Sequence, residues 1–493
     1  MHRIFIAVLL SLALVASHTQ ALDLAIIGGR VIDPETHTDQ ELNVGIKNGR
    51  IVALTTDNLD AGRIIDAKNR VVTAGFIDIH SHTPTPFGMR LNILDGITTQ
   101  LDTEAGAYPV MEYGDAIRDN AIVNYGASVG HYAARIQVIE DKYQPYFFHQ
   151  GTMASMGSAA FEQLATAAQI EEIREHLEQG IQQGGLGIGL LLDYMRDAVS
   201  DQELRMIFEV AAEHDVPVFT HVRRNLPGDS SGLNEILTLA KSTGAAVFIC
   251  HITHNAMGSV GDWLKTIDQA RADGVRVTTE TLSYLAGGTS ISADVFRKRD
   301  WQAIFDITYE DVQWVATGEW LTKESWNDYA RNEPGGAVNH HYVKEEWLQT
   351  ALHWPDMMIS TDALPAFTPQ QFSNPNIAGT FSLVLGRYVR EQGILTLSDA
   401  LSRMSLKQAQ WLEPFAPAFK RKGRIQLDMD ADIVIFDPET VSAGADYGQP
   451  YEAPTGIDWV IVNGQIAVNN GHIQPSVYAG ARLTTLTSKE EAQ

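Results

Sequence analysis

Between Gly75 and Phe415 short apolar runs alternate with amphipathic stretches, and this alternation constrains the fold more than any other feature of the chain. The runs read "GFIDIHSH", "GITTQLDTEAG", "AIVNYGASVGH", "GLGIGLLLDY", "VPVFTHV", "AAVFICHIT", "VRVTTETLSY" and "WPDMMISTDA". Stretches of helical period, such as "ELRMIFEVAAEHD", "LNEILTLAKSTG" and "DWLKTIDQARADG", fall between the later ones. Neighbouring parallel strands need a crossover of roughly a dozen residues, normally a helix. Eight strands separated in this way predict an α/β fold, a parallel (β/α)8 barrel of the TIM type. His221, His251 and Thr281 fall thirty residues apart, about one strand–helix–strand step each. Helices are expected over about 161–183 and 396–412, and Ser200 to Glu203 reads as a capping box.

The two ends of the chain follow a different grammar. Residues 22–74 hold short strands broken by Gly-Gly, Asn-Gly and Lys-Asn turns, and the pattern returns in "GRIQLDMDADIVIFDP" and "DWVIVNGQIAVNNGHI". One small β-sandwich domain built from both ends, 22–74 and 416–483, is therefore expected, with the barrel, 75–415, inserted between them. Within the barrel region, 290–354 breaks the alternation and carries six of the nine tryptophans. An insertion after the seventh strand would lie over the barrel mouth as a lid, with a small core of its own.

Residues 1–21 have a basic start, an apolar run from Ile4 to Ala16 and a small-residue end at Ala21. That is the pattern of a secretory signal peptide, too short to span a bilayer. A secreted or periplasmic chain without a membrane anchor after cleavage is expected. Cys250 is the only cysteine, so no intrachain disulfide forms, and its apolar context reads as a buried strand position. A net charge of −25 argues against nonspecific nucleic-acid binding, which needs a basic face; it fits solubility and says little about the small-molecule substrate expected as partner.

In such a barrel the C-terminal ends of all the strands meet at one mouth. The first strand ends at His80 and His82, two residues apart and so on one side of an extended chain. The second carries Asp102 and Glu104, the fifth ends at His221, the sixth at His251 and the eighth at Asp362. Four imidazoles with two or three carboxylates make a site for one or two divalent ions, zinc above all.

The motifs "GFIDIHSHT", "GITT", "VGHYAAR", "THVRR", "ICHIT", "ISTDALP", "GTFSLVLGRYVRE" and "KGRIQLDMDADIVIFDP" span almost all of the chain after the leader. Together they resemble the amidohydrolase superfamily and, within it, the N-acyl-D-amino-acid deacylases (D-aminoacylases). The resemblance implies a metal-bearing barrel, a flanking β-sandwich and a metal-activated water as nucleophile. Carried over position by position, it implies His80, His82, His221 and His251 as metal ligands and Asp362 as general base.

Two segments depart from the family pattern. Relatives carry a metal-binding cysteine at the end of the second strand, where this chain has "DTEAG"; Glu104, or failing that Asp102, is the expected substitute. Relatives also carry a histidine-proline-arginine before "GTF" whose arginine grips the substrate carboxylate. Here the segment is "NPNIAGTF", with Asn376 in that place. Arg223 and Arg224 are then the candidates for the carboxylate, with Tyr284 resembling a pocket tyrosine of the family. "GGLGIGLLLDYMRD" holds no lysine, which argues against the carboxylated-lysine sites of hydantoinase-type relatives. His131 is as readily structural as functional, and His340 and His341 read as loop residues.

The expected function is metal-dependent hydrolysis of N-acyl-D-amino acids. An acidic side chain such as D-glutamate is preferred, because paired arginines suit two carboxylates. Hydrolysis of a dipeptide or cyclic amide, or a catalytically silent binding role on the same fold, are the alternatives.

Overall fold

The computed structural model describes residues 21–82, 84–149 and 152–486, so the expected signal peptide lies, but for Ala21, outside them. Eight parallel strands form the central sheet: β1 (Phe76–Asp78), β2 (Ile97–Ala107), β3 (Asn124–Gly130), β4 (Ile188–Leu190), β5 (Pro217–Thr220), β6 (Ala246–Ile249), β7 (Val277–Leu282) and β8 (Met358–Ser360). Each pairs with the next in parallel. The seam between β8 and β1 closes just beyond the strand ends. There the Asp362 N–H donates to the His80 carbonyl at 2.7 Å and the His82 N–H to the Ala363 carbonyl at 3.0 Å.

Period-two alternation sets what each strand buries where. On β5 and β6, Val218, Val247 and Ile249 pack against the outer helices, while Phe219 and Phe248 enter the barrel, 5.4 Å between ring centroids. His221, two residues after Phe219, inherits the inward direction. Leu412, Phe419 and Leu483 belong to the same interior cluster as these rings.

The chain ends meet in one nine-stranded sheet, in which Val71–Ala74 pairs antiparallel with Ile433–Phe436. Here Ile433 and Ile435 join Leu24, Ile26 and Ile46 on one face, while Val434 and Phe436 pack toward Phe381 and Tyr388 on the other. Both faces are apolar because one carries the sheet's own core and the other docks on the helices of the barrel.

The insertion after β7 forms an antiparallel four-stranded sheet, Gly287–Ser290, Ala337–His340, Val312–Trp314 and Glu319–Trp320. Its core stacks Trp301 on Trp326 and Trp314 on Tyr329, with centroids 4.9 and 4.1 Å apart. No helix among the described residues is long and apolar enough to cross a membrane.

Three local expectations differ in detail. The helix expected over 161–183 is a short turn, Ala159–Glu162, followed by a helix Ala167–Gln182 opened by a reciprocal box of Thr166 and Gln169. Ser200 caps its helix through the Glu203 N–H, but the Glu203 carboxylate does not reach back. It accepts instead from Arg135 Nη1 at 2.6 Å and lies 2.8 Å from His131 Nε2, both fully buried, because a buried guanidinium needs a carboxylate more than the cap does. The helix expected over 396–412 is continuous but widens to a π-turn at Ser402–Leu406.

Candidate metal centre

The strand ends bring the expected donors together, and the seam sets their register. Asp78 on β1 accepts from the Thr361 N–H at 3.1 Å, the Thr361 hydroxyl at 2.6 Å and the His80 N–H at 3.3 Å. Burial pushes its carboxyl up to about 7 in spite of these bonds. On β6, Phe248 and Cys250 both enter the interior cluster, so unbroken alternation would turn His251 away. A left-handed φ of 35° at His251 rotates the chain and returns the imidazole to the mouth, and Asp362 is left-handed as well, with φ 46°. Each such residue costs about 1–2 kcal/mol, a strain that clusters at functional sites.

Donors bound at ~2.1 Å to one tetrahedral ion lie ~3.4 Å from one another. Glu104 Oε2 is 3.4 Å from His80 Nε2 and 3.7 Å from His82 Nε2, and Asp362 Oδ1 is 3.3 and 3.1 Å from the same two nitrogens. The other oxygen, Glu104 Oε1, is 3.4 Å from His221 Nδ1 and 2.7 Å from His251 Nε2. The carboxylate therefore stands between two donor sets, His80, His82 and Asp362 on one side and His221 and His251 on the other. His80 Nε2 and His221 Nδ1 are buried without a hydrogen-bond partner. Buried imidazole nitrogens normally find one, and a divalent cation is the partner this donor set fits.

Electrostatics agree. Burial opposes charge, yet Asp362 and Glu104 outweigh it and hold His80 well above the usual imidazole range. Asp102 and Asp362 likewise push His82 up to about 10 against burial. Burial also works against the charged forms of Glu104 and Asp362, but the surrounding histidines hold both below their ordinary range. Burial and the neighbouring His251 lower His221, which leaves it a neutral donor. The carboxylates are ionised, and positive charge must come from protons or from a metal ion that displaces them.

A second layer of side chains aims these donors. His80 Nδ1 is 3.0 Å from Glu280 Oε1, and the same oxygen accepts the His251 N–H at 2.5 Å. Sequence reasoning passed over Glu280. The signal was an acid in "VTTETL", a strand buried at every position, where a carboxylate must have partners. Asp102 lies behind His82, 3.5 Å from its Nδ1, and accepts the Gly106 N–H at 3.0 Å; of the two β2 carboxylates, Glu104 faces the donors. Burial pushes the Cys250 thiol up, which leaves it unreactive.

A cavity open to solvent lies above the donors. Phe147, Phe148, Met153, Met156, Leu191 and Tyr194 line it from the barrel loops, and Thr289, Ser290, His340 and Tyr342 from the insertion. Among the described residues, no lysine lines it. Arg224 and His254 line the cavity, but Arg223 and Tyr284 do not, contrary to expectation. Arg223 is drawn to the outer side of the loop by three acceptors, the Arg196 carbonyl at 3.1 Å, the Val199 carbonyl at 2.7 Å and the Glu235 carboxylate. The Tyr284 hydroxyl donates to the Ala445 carbonyl at 2.7 Å and so ties β7 to the C-terminal segment. Two arginines at the substrate, the ground for an acidic side chain, reduce to one.

His340 is no loop residue. It ends a strand paired with Gly287, where any Cβ would stand 2.5 Å from His340 Cε1, so only glycine lets the ring lie there. Asn376 is buried and donates to the Thr361 carbonyl at 2.7 Å, behind Asp362 rather than in the cavity. His131 has the structural role described above.

The model of the amidohydrolase family matches residues 71–467. The chain is 27% identical over 489 residues to an N-acyl-D-glutamate deacylase of Alcaligenes xylosoxydans xylosoxydans, covering 90% of this chain and 93% of the relative. It is 26% identical to a D-aminoacylase of the same organism, covering 91% and 95%. A crystal structure of N-acyl-D-glutamate deacylase from Bordetella bronchiseptica, complexed with zinc and a phosphonate mimic of the tetrahedral intermediate, matches with a TM-score of 0.77 at 26% identity, over 94% of this chain and 100% of that one. A D-aminoacylase crystal structure matches with the same TM-score of 0.77 at 23% identity, over 94% and 100%, a likeness of fold.

Proposed function

The chain belongs to the amidohydrolase family, and on that premise we propose that it hydrolyses N-acyl-D-amino acids to a carboxylate and a free D-amino acid. It is a hydrolase of carbon–nitrogen bonds outside peptides. The observation that carries the finer reading is the Glu104 carboxylate, set between two groups of histidines at the floor of a cavity. His80, His82 and Asp362 with Glu104, and His221 and His251 with Glu104, are the residues that would hold one or two zinc ions. Lewis acidity is the chemistry that such an ion supplies, polarising the amide carbonyl and acidifying water.

The side chains do the rest. Asp362, held ionised by the histidines around it, accepts a proton from the attacking water. As the carbon–nitrogen bond breaks, Asp362 returns that proton to the leaving nitrogen, so that water is consumed and no charge accumulates. Its left-handed backbone and its N–H bond to the His80 carbonyl fix where the carboxylate stands. The insertion strands wall one part of the cavity.

Hydrolysis of N-acetyl-D- and N-acetyl-L-amino acids by metal-loaded protein tests the proposal. D-selective turnover is expected, and Asp362→Asn should lower it about 10²–10⁴-fold. Equal or absent turnover of the D-isomers would overturn the assignment. The basic start and short apolar run of residues 1–21 support export to the periplasm or beyond, which N-terminal sequencing of the mature chain tests.

A further inference from the structure

The floor of the cavity is occupied by the metal-type donors, but one wall carries polar groups that chemistry at the floor does not use. Arg224 is 6% exposed; its guanidinium donates to Asn255 Oδ1 at 3.1 Å and touches His221 Nε2 at 3.5 Å, and its Nε has no partner. Beside it stand His254 and His340, each 3% exposed, with neither ring nitrogen of either residue hydrogen-bonded. Phe305 and Tyr342 hold the group together: the Arg224 guanidinium carbon lies 5.2 and 6.0 Å from their centroids, and His340 stacks on Tyr342 at 4.9 Å. Asp193 already accepts the Arg224 backbone N–H at 2.8 Å and pairs with Arg196 at 3.3 Å. A buried guanidinium whose Nε has no partner, next to two imidazoles with free nitrogens, is a costly arrangement unless an anion completes it.

We propose that Arg224, His254 and His340 form the subsite for the single carboxylate of the substrate, and that the enzyme prefers N-acyl amino acids with apolar side chains to acidic ones. The proposal rests on the deacylase reading above and narrows its substrate class. A carboxylate matches the planar guanidinium, and its remaining lone pairs suit the two imidazoles. Among the described residues, no second guanidinium and no lysine line the cavity, and Arg223 faces Glu235. The same cavity is also lined by Phe147, Phe148, Met153, Met156 and Leu191. A second carboxylate placed among them would be buried without a partner, whereas an aliphatic or aromatic side chain would bury apolar area.

Calorimetric titration of the full-length, metal-loaded protein with N-acetyl-D-leucine and with its carboxamide tests the subsite without turnover as the readout; the Asp362→Asn variant keeps the acid intact. The acid should bind at least about tenfold more tightly than the carboxamide, and Arg224→Met should abolish the difference, while Arg224→Lys keeps part of it. In kinetics, Arg224→Met should raise KM for the acid about 10–100-fold with a smaller change in kcat. N-acetyl-D-leucine should exceed N-acetyl-D-glutamate in kcat/KM by about tenfold or more. Equal binding of acid and carboxamide by the unsubstituted residue, or preference for glutamate, overturns the proposal even if Arg224→Met fails to fold. Hydrolysis of N-acyl-D-amino acids unaffected by Arg224→Met would sink the subsite and leave the deacylase reading standing. Arg224-dependent binding without any hydrolysis would do the reverse.

Discussion

Arg223 and Arg224 are adjacent in the chain and turn their guanidinium groups to opposite sides of the loop after β5. Arg223 bonds Glu235 and two backbone carbonyls on the helix side, whereas Arg224 lines the cavity beside His221. One is a fastener and the other is available to a ligand, although their sequence contexts are indistinguishable.

That division predicts opposite phenotypes. Arg223→Gln should lower the free energy of unfolding by about 1–3 kcal/mol, because it strands the Val199 carbonyl and the Glu235 carboxylate. The KM of the variant at a temperature where it is folded should match the parent. Urea unfolding and initial-rate kinetics on the same preparation check this. A raised KM without lost stability would place Arg223 at the substrate after all.

Glu104 has the heaviest demand placed on it, since its two oxygens face different histidine groups. Glu104→Ala should reduce bound metal per chain, measured by elemental mass spectrometry, and shrink the rise in unfolding midpoint on adding zinc. Glu104→Cys, which also offers an anionic zinc ligand, should recover more of both. Zinc binding by Glu104→Ala equal to that of the parent would remove Glu104 from the site.

Glu280 should act one layer further out. Its carboxylate faces His80 Nδ1 and takes the His251 N–H, so it orients two donors without being one. Glu280→Gln should weaken zinc affinity about 10–100-fold while the protein stays folded. Competition with a chromophoric chelator measures this, and at least one proton should be released on binding, because His80 and His82 are held in their charged forms without metal. Unchanged affinity would make Glu280 a purely structural acid.

The sequence announces what is periodic and conceals what depends on a local break. The barrel is legible because β-strand and helix periods alternate, and the donors are legible because they end those strands. His251 has the wrong parity for the mouth and reaches it only through a left-handed residue that no pattern announces. The cavity wall is hidden for another reason. His340 arrives from an insertion whose strand pairing depends on a glycine opposite the ring, and Glu280 looks like one more strand residue until its burial is known. Arg223 was misread because nothing in "THVRR" locates Glu235, twelve residues later on the helix Ser231–Thr243.

Asp95 joins the barrel to the helix Asn376–Leu383, whose first residue holds the Thr361 carbonyl next to Asp362. Its carboxylate accepts the N–H groups of Phe381 at 2.8 Å and Ser382 at 3.0 Å, and burial pushes it up to about 6 in spite of them. The folded state thus binds this proton more tightly than the unfolded chain, whose aspartate titrates near the ordinary 3.8. The sign follows: the contribution of Asp95 to stability is largest below about pH 4 and declines as pH rises to about 6. Asp95→Asn cannot titrate, so any deficit in its stability against the parent should depend on pH. At pH 4 the deficit should be greatest. By pH 7 it should have narrowed by roughly 3 kcal/mol, two pKa units at about 1.4 kcal/mol each. Urea unfolding of both proteins at pH 4, 5, 6 and 7 gives the comparison directly. A deficit that widens with pH would mean that Asp95 is ionised more readily in the fold than out of it, and that the two backbone amides, not burial, dominate its energetics.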